Sequence, residues 1–171
     1  MSELELLARE AATKYGLDPA LVCALCEVES GWNPRAVRHE EGYRWLWGLL
    51  RESEEIKPTV LEQLSGCTIT TERICQQTSW GLMQIMGATA RERGFTGWLT
   101  ELCDPAVNLE WGCKHLRWMI EHNNAYGLPD YRIKPEDLAA AWNGGSRVVV
   151  DGKYANEDYV KRVVGAMVNY E

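Results

Sequence analysis

The sequence is poor in three things. It has one Phe in 171 residues. It has no excess of positive charge: 18 Lys and Arg against 25 Asp and Glu leave a formal charge of −7. Nucleic-acid binders draw much of their affinity from phosphate contacts and carry a basic stripe; there is none here, which excludes that class. It also has no apolar run near the ~20 residues that a membrane-spanning helix needs. The opening Met1-Ser2-Glu3-Leu4-Glu5 lacks the basic start and apolar stretch of a secretory signal. The chain is therefore expected to be made in the cytoplasm, unless a leader has been trimmed away. Its length predicts one domain, at ~100–200 residues each. An apolar fraction of 46% with 25% charged residues supplies a core and argues against wholesale disorder.

Against the single Phe stand eight Trp and seven Tyr. These combine an apolar face with a polar edge, a surface that suits flat sugar rings; an unusual core would use the same residues. The six cysteines are Cys23, Cys26, Cys67, Cys75, Cys103 and Cys113. Zinc sites often begin with C-x-x-C but need a second clean pair, and the other four are irregularly spaced. Cys23 and Cys26 also fall inside a helical stretch, whereas a redox C-x-x-C starts a helix after a strand. The six are read first as packed, reduced thiols, then as disulfides, and last as zinc ligands.

Ser2-x-x-Glu5 is a capping box ahead of Leu4, Leu7, Ala8, Ala11 and Ala12 at helical spacing; Gly16 stops this helix. Asp18-Pro19 opens a second helix, which Gly31 and Pro34 end. Tyr43 to Leu50 predicts an aromatic-rich helix. Pro58 to Gly66 predicts a shorter one, and Thr70/Thr71 would cap another running toward Gln77. Ser79 to Ile85 has no clear period and reads as a tight, buried connection. A short helix follows from Ala88 to Arg93. Asp104-Pro105 starts a long one reaching near Asn123, with a loop over 123–130. A helix from Pro135 is broken at Gly144-Gly145, and a last helix carries Tyr159, Val160, Val163, Val164 and Met167. The one strand signal is Asp151-Gly152, a turn for a small hairpin over 148–154. The fold class is mainly α, a single compact domain over residues 1–171 with that one hairpin.

Glu29 falls in the last turn of the second helix, on the border of its apolar face near Val22, Leu25 and Cys26; Glu27 points away and is expected to be solvated. A helix C-terminus disfavours negative charge, and burial does too. Both raise a carboxyl pKa, the state a general acid needs. Periodicity alone is met as well by a carboxylate pointing outward, and on that ground alone the outward reading is preferred.

Four blocks reverse that preference. Glu29-Ser30-Gly31-Trp32-Asn33-Pro34 resembles the Glu-Ser signature of the soluble-type lytic transglycosylases, relatives of goose-type lysozyme with a lysozyme-like fold. Ser79-Trp80-Gly81-Leu82-Met83-Gln84-Ile85-Met86 is similar to their Gly-Leu-Met-Gln motif. Ala141-Trp142-Asn143-Gly144-Gly145 is similar to their Ala-Tyr-Asn-x-Gly motif, and Tyr159-Val160-Lys161-Arg162-Val163 to their closing Tyr-Val-x-x-Val. The blocks occur in family order and span nearly the whole chain; four in order are specific where one would be weak. The arrangement looks most like phage-encoded members, in which Arg38-His39-Glu40 and Leu102-Cys103-Asp104-Pro105 have counterparts.

The resemblance implies cleavage of the bond between N-acetylmuramic acid and N-acetylglucosamine in peptidoglycan. One carboxyl group acts as acid and then base, and the sugar's own 6-hydroxyl attacks, leaving a 1,6-anhydro end; most glycosidases use two carboxylates. It implies Glu29 as the acid/base and Ser30 as a hydrogen-bonding group near it or near the acetamido group. Met83 and Gln84 would line the cleft. Trp142, in place of the family's Tyr, would stack but offer only a donor. Asn143 would contact the acetamido group or orient the cleft, and Tyr159 would hold the Glu29 carboxyl. Glu40 is a candidate second acid, although a solvated charge is the commoner reading. No cofactor and no metal are implied; the expected partner is the glycan strand, met by a monomer at the cell wall. Two departures stand out. Residues 35–78 are longer than in minimal members and are expected to form one wall of the cleft. Ala155 stands where many members carry a Glu, with Glu157 nearby. The rival readings are a muramidase that cuts the same bond with water, and a non-catalytic glycan-binding or virion module.

Overall fold

In the computed structural model, which describes residues 1–49, 67–128, 133–145, 148–150 and 153–171, helix α1 (Glu3–Lys14) starts where Ser2 Oγ accepts the Glu5 amide at 3.1 Å. Helix α2 (Pro19–Ser30) starts the same way, with Asp18 Oδ1 accepting the Ala20 amide at 2.8 Å, and stops at Gly31, whose φ is +58°. Every residue from Ala20 to Cys26 is buried. A helix that is apolar on all sides belongs in a core, and α2 packs between α1 and the C-terminal helix.

Three strands were missed by the sequence reading. They are β1 (Val37–His39), β2 (Thr78–Trp80) and β3 (Ile85–Met86), paired antiparallel in the order β1-β2-β3. Arg38 faces Ser79, and Ser79 faces Met86. The tight connection expected over 79–85 is buried as foreseen, but it is a strand, a turn and a strand. Strands of two or three residues show no alternation to read.

The aromatic-rich helix expected from Tyr43 is also corrected. Over Tyr43–Leu49 the chain is irregular, with Gly42 and Gly48 in the left-handed region at φ +80° and +71°. Its backbone groups bond to glutamine side chains of the next described helix, α3 (Ile69–Gln76), and its flank. The cap of α3 is Thr68, whose Oγ1 accepts the Thr71 amide, rather than Thr70/Thr71. The helix expected from Pro58 to Gly66, and Leu50, lie outside the described residues, as does the turn at Asp151-Gly152.

Helix α4 (Gly87–Glu92) and a 3-10 turn (Leu99–Cys103) lead to α5 (Pro105–Glu121), which Asp104 caps. A short helix, α6 (Asn123–Tyr126), stands where a loop was expected. Then come α7 (Pro135–Gly144), the hairpin β4 (Val149–Val150) with β5 (Lys153–Tyr154), α8 (Glu157–Met167) and a closing 3-10 turn (Val168–Tyr170). The fold is mainly helical, as expected.

The main core unites residues of α1, α2, α5, α7 and α8. A smaller one gathers Trp80, Ile85, Ala90, Phe95, Leu99 and Leu102. Trp142 packs against both. Cys23, Cys26 and Cys113 are buried in the main core and their thiols are free; Cys67, Cys75 and Cys103 are half-buried and also free.

Candidate active site

Glu29 reaches the surface of a cavity of about 390 Å³. Helix α2 supplies the Glu29 wall; Arg38 and Ser79 come from the sheet, Glu40 from just after β1 and Gln84 from the turn before β3; Trp142 and Asn143 come from the end of α7. Antiparallel pairing of β1 with β2 is what carries Arg38 and Glu40 to the motif residues Ser79 and Gln84.

Burial raises the Glu29 pKa. The Tyr159 hydroxyl, the nearby Arg38 and Arg162 cations and the Trp142 indole oppose that rise without cancelling it. Tyr159, itself buried, donates to Glu29 Oε1 at 2.5 Å, and its own ionisation is suppressed by burial and by Glu29. The carboxyl thus sits in a partly dry site, with a donor fixed on one oxygen and two cations within electrostatic reach.

Gln84 has a left-handed backbone, φ +52°, and spends its amide on the protein. Its Nε2 donates to the Ala36 and Gly81 carbonyls at 3.0 and 2.9 Å, and its Oε1 accepts from Ser79 Oγ at 3.0 Å. It braces the sheet against the motif turn while lining the cavity. Glu40 accepts from Arg38 Nε at 2.6 Å and lies 3.5 Å from Ser79 Oγ, so it is paired rather than merely solvated. Asn143 is exposed at the rim, its Oδ1 accepting from Asn156 Nδ2 at 2.9 Å.

Two expected cleft residues sit elsewhere. Met83 is fully buried, packed so tightly on α5 that a Cβ on Gly112 would lie 2.3 Å from its sulfur; it shapes the core beneath the motif and does not line the cavity. Ser30 Oγ donates back to the Cys26 carbonyl at 3.0 Å on its own helix, and Ser30 lies outside the cavity wall. Glu27, expected in solvent, accepts from the Tyr170 hydroxyl at 2.6 Å, and that hydroxyl accepts from the Trp32 indole at 2.8 Å. Glu157, the neighbour of the missing family Glu, faces solvent and pairs with Lys161 at 2.8 Å.

Asn108 went unnoticed in the sequence. It is fully buried: its Nδ2 donates to the Trp80 and Leu102 carbonyls, and its Oδ1 accepts the Met83 amide, all at 2.8 Å. It holds the whole motif turn. The available signal was the helical spacing of Asn108, Gly112, His115 and Met119, a second buried stripe beside the leucines.

A helical domain with a small antiparallel sheet on one side of a cleft, and a carboxyl from a buried helix on the other, is lysozyme-like. The chain belongs to the Transglycosylase SLT domain family, whose match runs over residues 6–162. It is similar to the membrane-bound lytic murein transglycosylase C of Cronobacter sakazakii, 24% identical over 163 residues covering 94% of this chain. The same-named protein of Klebsiella pneumoniae is 26% identical over 153 residues and 84% of this chain; that of Mannheimia succiniciproducens is 21% identical over 168 residues and 94%. The chain spans about a third of the length of these relatives, 36%, 31% and 36% respectively. Among the described residues no helix is long and apolar enough to cross a membrane.

Proposed function

We propose that the protein is a peptidoglycan lytic transglycosylase that cleaves the β-1,4 bond between N-acetylmuramic acid and N-acetylglucosamine. The observation that carries this reading is Glu29 itself: a carboxyl whose pKa burial raises, opening on a cleft and held by Tyr159. Protonated Glu29 gives its proton to the bridging oxygen as the C1–O bond breaks. The resulting carboxylate is stabilised by the Tyr159 hydroxyl and the Arg38 and Arg162 charges. It then takes the proton of the muramyl 6-hydroxyl as that oxygen closes on C1, which restores the acid and leaves a 1,6-anhydro end. Trp142 stacks on a sugar face, Asn143 meets an acetamido group, and Gln84 shapes the wall between them.

Arg38-His39-Glu40 and Leu102-Cys103-Asp104-Pro105 support a member of the phage-encoded kind. Hydrolysis of the same bond is the second reading. It is favoured by Glu40, a carboxylate lining the Glu29 cavity that could orient a water molecule. Mass spectrometry of digested sacculi separates the two: anhydro ends are expected, and reducing ends heavier by one water in their place would make the enzyme a muramidase. Sacculi left intact by the protein would remove both.

A further inference from the structure

Asn156 stands at the N-cap of α8, where an asparagine usually spends its side-chain oxygen on the amides of its own first turn. Here it makes no such bond. Its backbone carbonyl accepts the Tyr159 and Val160 amides at 3.0 and 3.2 Å, while its side chain turns away to the end of α7. There its Nδ2 donates to the Ala140 carbonyl at 3.1 Å and to Asn143 Oδ1 at 2.9 Å. Gly144 leaves room for the amide, since a Cβ on that residue would lie 3.4 Å from Nδ2. Asn156 Oδ1 is buried without a partner among the described residues. A forgone cap and an unpaired buried oxygen both cost stability, so the side chain is placed for what it holds on α7 and not for its own helix.

Donor chemistry fixes the direction of both amides. A carbonyl only accepts, so the Asn156 atom facing Ala140 is the nitrogen. The same nitrogen faces Asn143, which must answer with its oxygen. Inverting Asn156 would press its oxygen against the Ala140 carbonyl, and inverting Asn143 alone would set two amide nitrogens together. The sequence of bonds thus starts at the backbone of α7 and leaves Asn143 Nδ2 unspent, with no partner among the described residues. Asn143 is exposed and lines the Glu29 cavity. Tyr159, which holds the Glu29 carboxyl, lies in the first turn of α8. The start of one helix therefore braces two walls of the cleft, Glu29 through Tyr159 and Asn143 through Asn156.

Resting on the reaction proposed above, we infer that Asn156 is a positioning residue: it occupies Asn143 Oδ1 and so commits Asn143 to meet the sugar as an N–H donor, which selects an acceptor there, the carbonyl oxygen of an N-acetyl group. Asn156→Asp offers only oxygens, so Asn143 must turn over to donate to it and present its own oxygen to the sugar. Asn156→Ser is too short to reach Asn143 and only releases it. Aspartate and serine are both good N-caps, so the start of α8 is kept in either variant. The probe is the neutral hexamer of N-acetylglucosamine, titrated calorimetrically onto Glu29→Gln protein, with Asn143→Ala completing a double-mutant cycle. Asn156→Asp is expected to weaken binding about tenfold and Asn156→Ser about threefold, the scale of one hydrogen bond. Neither should weaken it further once Asn143→Ala is present, a coupling that a merely structural role or the added charge would not produce. Unchanged affinity in Asn156→Asp, losses that add in full to that of Asn143→Ala, or a parent protein that does not bind the hexamer overturns the inference. Binding by Asn156→Asp as tight as by Asn156→Ser overturns it too, because the donor direction would then not matter. Anhydro ends from wild-type protein alongside an additive cycle remove the inference alone; a coupled cycle without such ends sinks the reaction alone.

Discussion

The Tyr159 hydroxyl stands 2.5 Å from Glu29 Oε1, joining residues 130 positions apart in the chain. The contact sets two opposing forces on one carboxyl. Burial favours the protonated form and the hydroxyl favours the ionised one. A group that must give a proton and then take one back needs both forms within reach.

Glu29→Gln is expected to lower activity by about 10²–10⁴-fold and to make the protein more stable at pH 7. The folded-state pKa is raised, so the folded protein holds the proton more tightly than the unfolded chain does. The resulting stability is fully present below the ordinary carboxylate pKa and is lost as pH rises through the folded value. The amide never ionises and escapes that loss. Thermal unfolding at pH 7 and near pH 4 checks this: the gain should shrink toward nothing at the lower pH, and a variant less stable at pH 7 contradicts it.

Tyr159→Phe removes the donor that favours ionised Glu29, so the Glu29 pKa rises further. The alkaline limb of the activity profile should move to higher pH while the rate falls by about 10–100-fold, the worth of a charge-assisted hydrogen bond of ~1.5–3 kcal/mol. A profile from initial rates of peptidoglycan solubilisation measures both. A limb that stays in place or moves down contradicts the assignment.

Gly81→Ala should be among the most damaging single substitutions. Gly81 has φ +68°, and a Cβ there would lie 2.3 Å from the Leu102 carbonyl oxygen and 2.4 Å from Asn108 Nδ2. A cost above about 3 kcal/mol is expected from the left-handed backbone and the backbone clash together. Asn108→Ala should cost about 2–4 kcal/mol by orphaning the Met83 amide and two carbonyls. Urea unfolding gives both numbers, and a loss below 1 kcal/mol for either would deny the turn its anchor.

Glu72→Gln leaves the Arg91 guanidinium buried without its carboxylate, with an expected loss of about 3–5 kcal/mol. Replacing both partners, Glu72→Leu with Arg91→Met, should restore part of that loss, because an apolar pair has no charge to desolvate. Denaturant midpoints of the single and double variants test the order; a double variant no better than the single one argues against it.

The parts of this protein that were legible in the chain are those built by neighbours in sequence. Ser2, Asp18 and Asp104 announce helix starts because a cap bonds to amides two or three residues on. Glu29 could be placed in a last turn because Gly31 stops its helix. The irregular Tyr43–Leu49 stretch was mistaken for a helix because its backbone partners, Gln76 and Gln77, lie about 30 residues away. Met83 shows the reverse error: a motif residue expected on the cleft is core, because Gly112 opens a notch for it on a helix that local reading did not connect with it.

Sequence alone determined the helices that open at Ser2, Asp18 and Asp104, the four motif blocks and the carboxyl worth watching, since caps, periods and residue types act over a few residues. Tertiary structure alone decided that Arg38 and Glu40 share a cavity with Glu29, that Tyr159 reaches it, and that Asn156 holds Asn143. Those relations depend on strand pairing and helix packing between distant segments, where the energy lies in contacts that no local pattern records.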